Sequence, residues 1–211
     1  MKIFSLSYIA AALLEEGENP SIFGKDEKYR KAYTNLVEYA INRGIAPHLF
    51  HLLNTYEIYI KPHGSPYGKK YHYVGIPNYK NNGAVLSAPY EKMGSKRDGE
   101  NHPIIINYYA PKVYLFTSIW DYLAYLTMCG NAWQKVMRDS AFIILNHVSP
   151  TKKVLESLGL EKFSEINLCF RSNKSGDTAT NNALKVFENA KDLRGKWEGF
   201  TSLNNYICGK I

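Results

Sequence analysis

The sequence predicts an α+β protein, in which N-terminal helices and a small antiparallel sheet precede an α/β part with a mainly parallel sheet. Three observations favour this class. Helical periodicity dominates the first fifty residues, and residues 56–109 contain short aromatic and β-branched runs separated by turn-forming segments. From residue 113 onward, continuous apolar runs alternate with helical stretches, a pattern typical of parallel βαβ units.

The N-terminal part is predicted to begin with helices. Lys25–Arg43 places apolar and aromatic side chains near helical spacing, and Gly44 is a natural stop. Pro47–Leu53 is predicted as a second short helix, because proline suits a first helical turn. Ser7–Glu16 is predicted as a further short helix. It is too short to span a bilayer and lacks a convincing leader cleavage site, so no membrane association is expected.

The middle of the chain is predicted to form the antiparallel sheet. Its strands are rich in aromatic and β-branched residues and are bounded by proline, glycine and asparagine. The predicted strands are Tyr56–Ile60, Lys70–Ile76, Ala84–Tyr90 and Ile104–Tyr109. Because Pro111 interrupts the pattern, we expect a first domain over residues 1–110 and a second over residues 111–211.

Strand and helix alternate in the second half. The predicted strands are Val113–Phe116, Ala141–Asn146 and Ile166–Phe170. The predicted helices are Trp120–Met128, Pro150–Leu158 and Asp177–Ala190. Because each strand is a continuous apolar run, we expect a sheet that helices cover on both faces.

Charge and cysteine content restrict the class of protein. The formal net charge of +7 and a pI near 9.1 suit a polyanionic partner. Cys129, Cys169 and Cys208 are odd in number and lack metal-ligand spacing, which argues against a disulfide framework or a zinc site. A reducing, cytoplasmic setting fits this usage.

Two strand–turn–helix units, Val113–Thr127 and Glu165–Thr180, resemble the Toprim domain of bacterial primases and topoisomerases. In that family a glutamate after the first strand and an Asp-x-Asp after the later one hold Mg²⁺. The matching positions here are Thr117, Arg171 and Asn173. Since a hard divalent cation needs carboxylate oxygens, the resemblance implies a degenerate pocket with no metal, no cofactor and no catalytic residue.

Other segments resemble the primase-like proteins of bacterial plasmids and conjugative transposons, in matching order over roughly residues 35–208. They are the turn at Asn42–Ile45, the paired strands around Gly75–Asn78 and Asn82–Leu86, the turn at Lys92–Ser95, and the segment Ser202–Tyr206. Full-length relatives carry an upstream Cys-His-Cys zinc finger. Residues 1–30 contain neither Cys nor His, so that finger has no counterpart there.

The degenerate pocket leaves two questions open. Asp121 matches a further family acid, but an aspartate in a first helical turn also stabilises the helix dipole. Arg171 and Lys174, next to a helix predicted to start at Asp177, suit a nucleic-acid phosphate. Alternatively, Arg171 pairs with Asp121 and fills the vacated space.

A second candidate surface lies in residues 56–109, which hold nine of the seventeen tyrosines interleaved with basic residues. Base stacking combined with phosphate neutralisation is typical of single-strand binding. The predicted nucleic-acid-binding residues there are Lys69, Lys70, Tyr71, Tyr73, Lys96 and Arg97. A packed sheet would account for the tyrosines equally well.

These observations predict a non-catalytic, nucleic-acid-associated protein from the mobilisation or replication module of a bacterial mobile element, with single-stranded DNA as the favoured partner. One alternative is a primase- or nuclease-like enzyme that holds Mg²⁺ through Asp121 and acids from elsewhere. Another alternative is a module that docks a relaxase or a primase.

Overall fold

The computed structural model describes residues 3–5, 27–61, 66–89, 95–146 and 151–209. The predicted helix Ser7–Glu16 and the predicted turn at Lys92–Gly94 lie outside these residues. The α+β class is confirmed, because an antiparallel sheet is followed by a mainly parallel one that helices flank. No helix within the described ranges is long and apolar enough to cross a bilayer.

The first sheet has the strand order β1-β2-β3-β4-β5, and each neighbouring pair is antiparallel. Its strands are β1 (Ile3–Ser5), β2 (Asn54–Ile60), β3 (Lys69–Pro77), β4 (Gly83–Ser87) and β5 (Lys96–Gly99). The strand β5 lies in a segment for which the sequence pattern predicted no strand. Its charged residues are compatible with an edge strand, where charge discourages pairing with another chain.

One helix and one helical turn accompany the first sheet. Helix α1 (Glu27–Ile41) buries Leu36 and Ala40, and Pro47–Leu52 forms a 3₁₀ turn. The Tyr33 ring of α1 lies 4.8 Å from the His72 ring of β3, so α1 packs on one face of the sheet.

The second sheet has the order β10-β9-β7-β8-β6. Its strands are β6 (Ile104–Ile106), β7 (Lys112–Phe116), β8 (Ser140–Ile144), β9 (Glu165–Cys169) and β10 (Ala190–Asp192). Strands β7 to β10 run parallel, and β6 is an antiparallel edge strand beside β8. The prediction that Ile104–Tyr109 belongs to the first sheet is therefore wrong. The strand ends at Ile106, and the Nδ2 group of the next residue, Asn107, donates to the carbonyls of Met137, Arg138 and Ser140.

Helices connect and cover the parallel strands. They are α2 (Ile119–Met128), α3 (Trp133–Asp139), α4 (Lys152–Ser157), α5 (Lys174–Val186) and α6 (Leu203–Ile207). Helix α5 begins three residues before the predicted start at Asp177, because Asn173 rather than Asp177 caps it. It ends before Ala190, which instead begins β10.

A single large core joins the two sheets. It contains Leu36 of α1, Val74 of β3, Phe116 of β7 and Trp120 of α2, each at most 5% exposed. The Trp120 Nε1 group also donates a 3.1 Å hydrogen bond to Ser87 Oγ at the end of β4. The boundary between residues 110 and 111 stays a prediction.

Candidate functional site

The candidate pocket lies where β7 and β9 end. These parallel strands are neighbours, and Phe116 pairs in register with Cys169 at their carboxyl ends. The residues that follow, Thr117 and Arg171, therefore leave the sheet at the same edge. Burial raises the pKa of the Cys169 thiol well above its ordinary value, so this cysteine acts as a core residue beneath the pocket.

Asp121 is buried in the first turn of α2 and its carboxylate is occupied by protein donors. The residue is 1% exposed. Its Oδ2 accepts from Ser118 Oγ at 2.6 Å, and its Oδ1 accepts from the Asn204 backbone N–H at 3.0 Å. In return, Ser118 Oγ accepts from the Asp121 N–H, which makes Ser118 the N-cap of α2. The Asp121 carboxylate thus holds the N-cap hydroxyl and also joins α2 to the segment around Asn204.

Arg171 lies beside this carboxylate while remaining open to solvent. Its Nε is 3.7 Å from Asp121 Oδ2, and its side chain is 48% exposed. Thr117 Oγ1 lies 3.5 Å from the same oxygen, at the limit of hydrogen bonding. The residues present do not fit Mg²⁺, since a guanidinium, an amide and a hydroxyl replace the expected acids.

Asn173, at the last degenerate position, is the N-cap of α5. Its Oδ1 accepts from the Gly176 N–H at 2.9 Å. A Cβ on Gly176 would lie 1.9 Å from the Arg171 carbonyl oxygen. Only glycine fits this close approach, and the tight turn fixes Arg171 relative to the first turn of α5.

Two segments that sequence reasoning did not assign to the pocket meet behind Asp121. Arg43 Nη1 donates to Asn204 Oδ1 at 3.0 Å, and Asn204 Nδ2 donates to the Arg43 carbonyl at 2.7 Å. The Arg43 guanidinium also lies 4.5 Å from the centre of the Trp120 ring. The turn after α1, the start of α6 and the start of α2 therefore form one polar network.

A second guanidinium neutralises further acids near the pocket. Arg194, whose side chain is 16% exposed, contacts Asp177 through Nη1 and Asp192 Oδ2 through Nη2 at 2.8 Å. Burial would raise the pKa of Asp192, but hydrogen bonds from Arg194 lower it overall. These acids are therefore also held by arginine within the protein.

A basic groove of about 440 Å³ runs between α4 and α5, next to the turn that carries Arg171. Its rim carries the two lysines Lys152 and Lys174 and several hydroxyl and amide groups. One side of α5 forms a wall of this groove, from the first residues of the helix, Lys174 and Ser175, to Asn182. Lysine charge and a helix N-terminus both favour anions.

The predicted tyrosine surface of β3 is largely covered. Tyr73 is fully buried and packs with Tyr56 and Leu86, so its ring offers no stacking face to solvent. Tyr71 points to the same face, as expected, and is half-buried against this cluster. Alternation predicts the shared face but not the side chains that pack on it, so Tyr73 is removed from the candidate surface.

The basic residues of the first sheet do not form one patch. Pairing in register puts Lys69 and Lys96 on one face, and Lys70 and Arg97 on the other. Lys70 pairs with Glu57 at 2.7 Å. Among the described residues of this sheet region, the most exposed aromatic side chains are instead Tyr59 and Tyr67, which were not singled out from the sequence.

Comparisons with known proteins give one informative likeness. No family model matches this sequence, and no curated protein matches it. Among solved structures, the chain is similar to the primase fragment of the bacteriophage T7 primase-helicase protein, with a TM-score of 0.54 and 13% sequence identity. The alignment covers 78% of this chain and 66% of that fragment, just under two thirds of its length. The likeness confirms a primase-like fold.

Proposed function

We propose that this chain is a non-catalytic, nucleic-acid-associated protein whose pocket binds a phosphate of the nucleic-acid backbone. We further propose that it serves a mobilisation or replication module of a bacterial mobile element in the cytoplasm, with single-stranded DNA as its partner. The primase-like fold, the net charge of +7 and the resemblance of its motifs support this assignment.

The state of Asp121 is the observation that carries the proposal. Both carboxylate oxygens accept hydrogen bonds from within the protein, and Arg171 lies between this acid and solvent. A divalent cation would have to displace these donors, whereas a phosphate can approach the exposed guanidinium directly. Arginine nitrogens match phosphate oxygens in a bidentate geometry.

The groove beside Arg171 supports the choice of an anionic ligand. Lys174 and Lys152 line it, together with Ser175 in the first turn of α5. A chain of phosphates that passes Arg171 would meet these positive groups next. Such binding involves release of counterions and therefore weakens as salt rises.

The test is fluorescence anisotropy with a labelled single-stranded oligonucleotide, measured with and without Mg²⁺ across a salt series. We expect binding that does not need Mg²⁺ and weakens with salt. Arg171→Glu should weaken binding by about tenfold or more, since it removes a charge-assisted contact and adds a repulsive charge. Arg138→Glu is the matched control, because the substitution changes the net charge by the same amount. Arg138 lies on α3, and its side chain is 73% exposed.

The two variants separate the outcomes. Equal weakening in Arg171→Glu and Arg138→Glu would mean that only net charge matters and would sink the pocket assignment. No binding at low salt would overturn the nucleic-acid proposal and leave docking of a relaxase or primase as the better account. Mg²⁺-dependent primer synthesis or strand cleavage would instead support the enzyme alternative.

A further inference from the structure

One exposed tyrosine of the first sheet is held in a fixed position. Tyr59, near the end of β2, is 60% exposed, yet its hydroxyl oxygen accepts a 2.8 Å hydrogen bond from the Gly68 N–H. The ring lies over the Gly68 backbone so closely that a Cβ there would be 2.2 Å from Tyr59 Cζ. An exposed ring that is already ordered loses little entropy when a flat partner stacks on it.

Two lysines share the end of the hairpin with this ring. Lys70 is directly opposite Tyr59 in the β2–β3 register, and Lys61 directly follows β2. Both lysines are exposed. Glu57 pairs with Lys70 at 2.7 Å, so Lys61 is the lysine in excess of this carboxylate. Lys69 lies on the opposite face of the sheet, where it pairs in register with Ile60 and lies 5.6 Å from the Tyr71 ring.

A second tyrosine extends the same end of the hairpin. Tyr67 directly precedes Gly68 and is 81% exposed. We call the set Tyr59, Lys61, Tyr67 and Lys70 the hairpin-end surface. Exposed aromatic rings among lysines combine a face for bases with charge for phosphates.

We propose that the hairpin-end surface binds single-stranded nucleic acid, with an unpaired base stacked on Tyr59 and an adjacent phosphate held by Lys61. This inference rests on the proposed nucleic-acid partner but uses a surface other than the Arg171 pocket. It also gives the proposed preference for single strands a structural basis, because the faces of the bases in a duplex are covered by their stacked neighbours and only an unpaired base can cover the Tyr59 ring.

The first experiment compares anisotropy binding of a labelled oligothymidylate by Tyr59→Ala and Tyr59→Phe. The alanine variant should bind at least about fivefold more weakly, the lower end of the range for the loss of one stacked base. The phenylalanine variant keeps the ring and should stay within about twofold of the unchanged protein. Tyr109→Ala is the control, because Tyr109 is also an exposed tyrosine near a lysine but lies outside the first sheet. It is 96% exposed, and its ring lies 5.7 Å from Lys162 Nζ.

A second variant tests the position of the ring without removing it. Gly68→Ala keeps Tyr59 and every charge but places a methyl group where the ring now lies. It should weaken single-strand binding in the same direction as Tyr59→Ala. Lys61→Gln should lower the slope of log affinity against log salt by about 0.7, the value for one phosphate contact to a single strand. Lys69→Gln is the control, because it makes the same change in charge on the opposite face of the sheet.

A duplex of matched length and label completes the design. Loss of single-strand affinity in Tyr59→Ala, with duplex affinity unchanged, supports the proposal. An equal loss for both forms, or no loss in Tyr59→Ala while the unchanged protein binds, overturns it. If Arg171→Glu weakens binding and Tyr59→Ala does not, the pocket assignment stands and the hairpin-end proposal is overturned. If Tyr59→Ala weakens binding and Arg171→Glu does not, the hairpin-end proposal stands and the pocket assignment is overturned. If the oligothymidylate does not bind the unchanged protein, both proposals fall.

Discussion

The buried carboxylate of Asp121 holds three parts of the chain together. Ser118 donates to it from the start of α2, Asn204 donates from the start of α6, and Arg171 contacts it from the end of β9. A carboxylate can accept all of these contacts at once, because both of its oxygens are acceptors only. The negative charge of Asp121 is thus compensated by donors and a cation of the protein itself.

Asp121→Asn should therefore destabilise the protein even though the side chain keeps its shape. The new amide group cannot accept from both the Asn204 N–H and the Ser118 O–H, so one buried donor loses its partner. We expect the free energy of unfolding to fall by about 1.5–3 kcal/mol, as measured by urea denaturation. Asp139→Asn is the control. Its side chain is 43% exposed, and its effect should stay within about 0.5 kcal/mol. Equal effects of the two changes would contradict the structural role of Asp121.

The turn from β9 into α5 shows how an element places the pocket. Asn173 caps α5, while Gly176 allows the first helical turn to pack against the Arg171 carbonyl. The N-cap asparagine, together with a glycine that has no Cβ to clash with the Arg171 carbonyl, determines where α5 begins. That start places Arg171 and Lys174 at the same edge of the sheet.

Gly176→Ala should disturb this turn. The added methyl carbon would lie 1.9 Å from a backbone oxygen, and a backbone atom cannot turn aside as a flexible side chain can. We expect a loss of about 1–3 kcal/mol in the free energy of unfolding, measured by thermal or urea denaturation. Gly195→Ala is the matched control, because a Cβ there meets nothing within 4 Å. A Gly176→Ala protein as stable as the Gly195→Ala protein would refute this account of the turn.

Local patterns explain which elements the sequence could predict. The continuous apolar runs predicted β7, β8 and β9 because each strand is covered on both faces. The sheet that Ile104–Ile106 joins was not predictable, since a three-residue apolar strand has the same local pattern beside either sheet. The burial of Tyr73 was also not predictable. The alternation of side chains along a strand shows which residues share a face, but not which other residues pack against that face.

The candidate site was predictable only in part. The resemblance placed Thr117, Asp121 and Arg171 together, and the neighbouring ends of β7 and β9 bring them within contact distance. The contribution of Arg43 and Asn204 was not assigned. Their contact joins residues 161 positions apart, and a contact of that range leaves no periodic signal in either segment.

Across the whole molecule, both sheets share one core. Leu36 and Val74 from the first part pack in the same cluster as Phe116 and Phe142 from the second. Trp120 lies at this junction and bonds to Ser87 of β4. Loss of either part would expose apolar surface of the other to water.

We therefore expect the chain to unfold in a single cooperative transition. Denaturation followed by far-UV circular dichroism and by tryptophan fluorescence should give the same midpoint. Ser87→Ala, which removes the acceptor of the Trp120 indole, should shift both midpoints together. Two separated transitions would instead show that residues 1–110 and 111–211 are independently stable domains.

The contacts of α6 also affect the order in which the protein can be made. Asn204 bonds to Arg43, and a Cβ on Gly44 would lie 3.2 Å from Ile207, so the turn after α1 is packed by residues synthesised about 160 positions later. During translation, that turn and the Asp121 carboxylate lack these partners until the segment around residue 204 leaves the ribosome. Chaperone binding to the nascent chain should therefore persist until α6 has emerged and docked.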